Sequence, residues 1–101
     1  MYFVQHYLDC VLQVVDVRNP GETAGGVIPG AANLPLPQLT ERMSELDPAR
    51  PTVVYCASGN RSSIGASVLA AAGFDDVSDL LGGYEAWKLQ QQDGREKEPK
   101  A

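Results

Sequence analysis

Val11-Leu12-Gln13-Val14-Val15-Asp16-Val17 constrains the chain more than any other stretch of it. It is β-branched and apolar, with too little alternation for a strand that keeps one face in water. It therefore reads as a strand buried on both faces, the pattern of a parallel sheet covered on each side. Thr52-Val53-Val54-Tyr55 is a second such strand, ending directly at Cys56.

Helical patterns alternate with these strands. Residues 18–30 carry Pro20, Gly21, Gly25, Gly26, Pro29 and Gly30 and read as a loop. Ala31-Ala32-Asn33-Leu34 is a candidate short strand. Leu36, Leu39, Met43 and Leu46 follow at helical spacing until Asp47-Pro48 stops them. From Ser62 to Ala72, the residues Ile64, Val68, Leu69 and Ala72 share one helix face, closed by Gly73. Val77-Ser78-Asp79-Leu80 is a third strand, and Gly82-Gly83 leads into a last helix whose Tyr84 and Trp87 close the core. The expected fold is α/β, a central parallel β-sheet with helices on both faces. One domain over residues 1–89 is expected, with residues 90–101, polar and charged apart from Ala101, as a disordered tail.

In such sheets, sites form beyond the carboxyl ends of strands, where Cys56 lies. The thiolate is the reactive form of cysteine. A cysteine between a strand and a helix faces backbone N–H groups without intrahelical partners, at the positive end of the helix dipole. Gly59 lets the loop curl so that successive amides point inward as an anion nest, and Arg61 adds a permanent cation with a fork of donors. Cys56 is thus the candidate nucleophile, and Ala57, Ser58, Gly59, Asn60 and Arg61 the candidate substrate cradle. A cysteine ending a buried strand is often only a small core side chain, but a core cysteine has no need of an anion nest beside it.

Composition narrows the chemistry. The formal charge of -5 argues against general affinity for nucleic acid or anionic membrane, so an anionic substrate must be attracted locally. No apolar stretch approaches the roughly 20 residues needed to span a bilayer, and the start has no basic segment followed by an apolar run. The expectation is a cytoplasmic protein with two free thiols, Cys10 and Cys56. No CxxC occurs, and His6, the single histidine, sits in an unstructured-looking start. A dithiol mechanism, a Cys-His pair and a metal site are all disfavoured, and no cofactor is implied.

Between Val14 and Trp87, about three quarters of the chain, the sequence resembles the rhodanese domain. The resemblance rests on an ordered set: Asp16-Val17-Arg18, Ile28-Pro29-Gly30-Ala31, Asn33-Leu34-Pro35-Leu36, Val54-Tyr55-Cys56, Gly59-Asn60-Arg61-Ser62, Gly73-Phe74, and Leu81-Gly82-Gly83 with Ala86-Trp87. It implies a sulfurtransferase without a cofactor. Cys56 would take the sulfane sulfur of thiosulfate or a persulfide donor and pass it to a thiol or cyanide acceptor through a cysteine persulfide. The alternatives are a non-catalytic rhodanese-type binding or regulatory module and a cysteine phosphatase. Related phosphatases place five residues between cysteine and arginine; here there are four, Ala57 to Asn60, a ring suited to a compact sulfur centre.

Two departures from the family pattern stand out. Val27 occupies the position where the family commonly has a histidine, and only about a dozen residues precede the Asp-Val-Arg strand. A shortened opening leaves a sheet edge that a homodimer would cover, and it also suits a domain of a larger fusion. Asp16 and Arg18 are expected to be structural, with Arg18 pairing Glu22. Cys10 is expected to be inert and packed.

Overall fold

A computed structural model of the chain describes residues 12–58 and 60–97, the last six by their backbone alone. Four strands form one parallel sheet in the order β2-β1-β3-β4. They are β1 (Gln13–Asp16), β2 (Ala32–Asn33), β3 (Thr52–Tyr55) and β4 (Val77–Asp79). The two β-branched runs lie side by side at the centre and are buried at every position. Val15, Val17, Val54 and Cys56 point to one face, against Leu34, Leu39, Leu69 and Phe74. Val14, Val53 and Tyr55 point to the other, against Ile28 and Trp87. Period-two alternation thus divides one apolar run between two cores.

Among the described residues, four helices accompany the sheet: α1 (Pro20–Thr23), α2 (Leu39–Arg42), α3 (Asn60–Ala71) and α4 (Gly83–Lys97). A 3-10 turn on each side of α2, Leu36–Gln38 and Met43–Glu45, extends the segment that carries the Leu36 to Leu46 spacing. Helices α2 and α3 cover the Val15/Val54 face through Leu39 and Leu69, while α4 covers the opposite face through Trp87. Helix α3 ends as the sequence suggests. Gly73 takes a φ of 103°, its N–H donates to Ala70 O, and Phe74 N–H donates to Leu69 O. Among the described residues no helix is long and apolar enough to cross a membrane.

Two expectations change. The buried face of α3 is Ser62, Gly65 and Leu69, whereas Ile64 is 55% exposed. The helix meets the sheet by its smallest residue: a side chain on Gly65 would stand 3.3 Å from Val54 Cγ1 and 3.4 Å from Val17 Cγ1. The loop after β1 contains α1, with Pro20 at its first helical position. Helix α4 spans Gly83–Lys97, so the described backbone after Gln90 is helical. Gln, Glu, Lys and Arg dominate that stretch and are good helix formers even without a face to bury. Val11, Cys10, His6 and the shortened opening lie outside the described residues, as do residues 98–101.

Candidate active site

Cys56 follows the last residue of β3 and is 1% exposed. The first turn of α3 lies against it. Ser62 N–H donates to Cys56 Sγ at 3.3 Å, and Ser62 Oγ lies 3.6 Å from the same sulfur. Ser62 is fully buried, and its hydroxyl also donates to Asp79 Oδ1 at the end of β4.

The other side of the loop is held by α4. Tyr84 N–H donates to Cys56 O at 2.8 Å and Glu85 N–H to Ala57 O at 3.2 Å. These are first-turn donors with no partner inside their own helix. A trans peptide holds its C=O and N–H antiparallel, so the N–H groups of Ala57 and Ser58 point away from α4. The approach is close enough to require glycine at 83, where φ is 62° and a Cβ would stand 2.7 Å from Ala57 O. Leu80 N–H, bonded to Val54 O at 2.9 Å, sets the turn that delivers this helix start.

Of the cradle residues, Ala57 is half-buried, Ser58 and Asn60 are exposed, and Gly59 lies outside the described residues. Arg61 is half-buried, and its fork is engaged by Glu22 of α1, Nη1 to Oε1 at 2.7 Å and Nη2 to Oε2 at 2.8 Å. Arg61, followed by the Asn19 N–H, holds the Glu22 carboxyl down to about 2. In return Glu22, by its hydrogen bond and its charge, raises the Arg61 pKa.

The expected Arg18–Glu22 pair is therefore replaced. Arg18 pairs instead with Asp16, Nη2 to Oδ2 at 2.8 Å and Nε to Oδ1 at 3.0 Å. Both side chains are buried, and there a guanidinium two residues along the same chain matches a carboxylate better than one across a solvated loop. Arg18 does hold that loop, by donating to Gly26 O at 2.8 Å. Its guanidinium lies 4.3 Å from the centroid of the Tyr84 ring, which continues to Trp87 at 5.7 Å. The Tyr55 hydroxyl, whose pKa burial pushes up, accepts the Ile28 N–H at 3.0 Å. Val27, beside it, is 41% exposed, so the residue standing for the usual histidine faces outward.

Ser62, Asp79 and Glu22 were not singled out as site residues from the sequence. Ser62 directly follows Arg61 and was recoverable as a first-turn residue of α3. Asp79 and Glu22 reach the site from 17 and 39 positions away along the chain, a distance that leaves no local signal.

The chain is similar in sequence and fold to known proteins. The model of the rhodanese-like domain family matches residues 3–90. The thiosulfate sulfurtransferase GlpE of Shewanella oneidensis is 41% identical over 76 residues, 75% of this chain and 75% of that protein. The uncharacterized protein YqhL of Bacillus subtilis is 40% identical over 75 residues, 74% of this chain but 60% of the relative's own length. A crystal structure of a rhodanese-related protein from Thermoplasma volcanium gives a TM-score of 0.78 at 30% identity, covering 86% of this chain and 85% of that one. The chain belongs to the rhodanese-like domain family.

Proposed function

We propose that the chain is a sulfurtransferase of the thiosulfate sulfurtransferase type, with Cys56 as its nucleophile. The observation that carries this reading is the setting of the sulfur. It lies at the junction of β3 and α3 under the Ser62 amide, in a loop whose first two carbonyls are drawn off by α4. The name of the Shewanella oneidensis relative supports the same chemistry.

The Cys56 thiolate attacks the outer sulfur of thiosulfate. A Cys56 S–S bond forms, and the bond from that sulfur to the sulfonate breaks, its electron pair leaving on sulfite. The persulfide anion then gives its terminal sulfur to cyanide or a thiolate acceptor, and the electron pair of the S–S bond returns to Cys56. Each half-reaction conserves charge, and dividing the transfer this way makes it ping-pong. Ala57, Ser58, Gly59, Asn60 and Arg61 form the cradle, whose amides stabilise the persulfide. Arg61 supplies positive charge to an anionic donor, moderated by its pairing with Glu22. A persulfide donor needs less of that charge than thiosulfate does. A cytoplasmic setting suits the reaction, because thiols there serve as acceptors and keep Cys56 reduced.

Intact mass spectrometry after exposure to thiosulfate tests the reading. The protein should gain one sulfur atom, lose it to cyanide, and gain none as Cys56→Ser. If neither thiosulfate nor a polysulfide modifies Cys56, the chain is a binding module. Aryl phosphate turnover that is lost in Cys56→Ser would instead mark a phosphatase.

A further inference from the structure

Behind the reactive sulfur stands a carboxylate that the reaction as written does not use. Asp79 ends β4, the strand beside β3, and pairs in register with Val54, two residues before Cys56. Both residues therefore lie at the same end of the sheet. Asp79 is exposed, yet its Oδ1 takes the proton of the fully buried Ser62 hydroxyl, the group that also faces Cys56 Sγ.

A carboxylate only accepts, and a serine hydroxyl has one proton to give. With that proton donated to Asp79, Ser62 presents a lone pair to the sulfur 3.6 Å away. A lone pair there suits an S–H that donates to it and opposes a thiolate. The negative charge of Asp79 one group further on acts in the same direction. The Ser62 N–H, the start of α3 and Arg61 act in the opposite direction and favour the thiolate.

We propose that Asp79, acting through the Ser62 hydroxyl, is a positioning residue that holds Cys56 in its thiol form. Formation of the thiolate then requires the Ser62 proton to swing from Asp79 to the sulfur while the thiol proton leaves to solvent. The Ser62 proton moves between these two acceptors, and Asp79 sets its resting position. The inference deepens the sulfurtransferase reading by assigning the control of its nucleophile. A cysteine kept protonated between turnovers resists oxidation, since susceptibility follows thiolate character.

Among the described residues, other charged groups lie on the elements packed around the sulfur. Arg61 of α3 is paired with Glu22 of α1, Asp16 of β1 with its neighbour Arg18, and Glu85 lies exposed in the first turn of α4. None of them contacts Ser62 Oγ among the described hydrogen bonds.

The test is the pH profile of Cys56 alkylation by iodoacetamide, followed by mass on the Cys56 peptide, so that Cys10 does not contribute. In Asp79→Asn the charge is gone, and the amide can donate to Ser62 Oγ, turning the hydroxyl proton toward the sulfur. The midpoint should fall by about one pH unit, making alkylation about tenfold faster at pH values below both midpoints. Asp79→Ser should shift it the same way, and serves if the first variant misfolds. In a Ser62→Ala background the Asp79→Asn shift should largely disappear. An unchanged midpoint in both Asp79 variants, or a shift of full size without Ser62, would overturn the proposal. Alkylation does not involve sulfur transfer, so a protein that shifts its midpoint but takes no sulfur from thiosulfate fails the functional reading and not this one.

Discussion

A methyl group on Gly83 would meet the carbonyl oxygens of Cys56 and Ala57, and its φ of 62° is one that side-chain-bearing residues rarely adopt. Gly83→Ala should therefore cost on the order of 2 kcal/mol in urea unfolding. It should also slow sulfur uptake from thiosulfate, because the loop must shift to make room. Gly21→Ala is the control: nothing lies within 4 Å of its Cβ, and it sits inside a helical turn, so no loss is expected. Glu22 gives a second prediction. Its pKa falls to about 2 in the fold, against about 4.3 in an unfolded chain. Its contribution to stability is thus present above the unfolded value and is lost as pH falls toward the folded one. The stability difference between wild type and Glu22→Gln, measured by thermal unfolding, should be steady at neutral pH and close between about pH 4.5 and 2.

Helix α3 shows why an element can be legible while its orientation is not. Its strand and glycine signals lie within a few residues of Cys56 and its cap, Gly73, stands just past its last apolar residues, so its existence and its junction with Cys56 follow from local sequence. Its buried face does not, because apolarity directs attention to Ile64, whereas close approach selects Gly65. Ile64→Ala should change stability by less than about 0.5 kcal/mol. Gly65→Leu should cost at least about 2 kcal/mol, since Val54, Val17 and Leu39 leave no room for it. Equilibrium urea unfolding of both variants measures the contrast. The site divides in the same way. Cys56 and its loop are contiguous, so the sequence alone puts them side by side. The Ser62–Asp79 bond and the pairing of Arg61 with Glu22 depend on which strand lies beside which and where a loop returns. The Arg18 partner was misassigned because two acidic residues, Asp16 and Glu22, flank it in sequence and only burial decides between them.

At the scale of the molecule, Arg18 joins parts that share no sequence neighbourhood. It neutralises Asp16 in the central strand, holds Gly26 in the loop after α1, and lies over Tyr84 of the last helix. Gln13 does similar work at the opposite end of β1. Its side chain donates to Asp47 O and Thr52 Oγ1 and accepts the Asp47 N–H. Arg18→Ala would leave Asp16 as an uncompensated charge at 0% exposure, at a cost of about 3–5 kcal/mol. A loss of that size approaches the whole stability of a small domain, so the urea midpoint should fall steeply and tyrosine fluorescence should report loss of the α4 packing.

The amides that take up the Cys56 and Ala57 carbonyls belong to residues 84 and 85, which a ribosome adds well after the cysteine itself. A nascent chain therefore carries this thiol for a time without the two amides that take up its loop's carbonyls. Only when the final helix has emerged from the exit tunnel and docked does the loop acquire its shape, so biosynthesis itself delays the onset of reactivity.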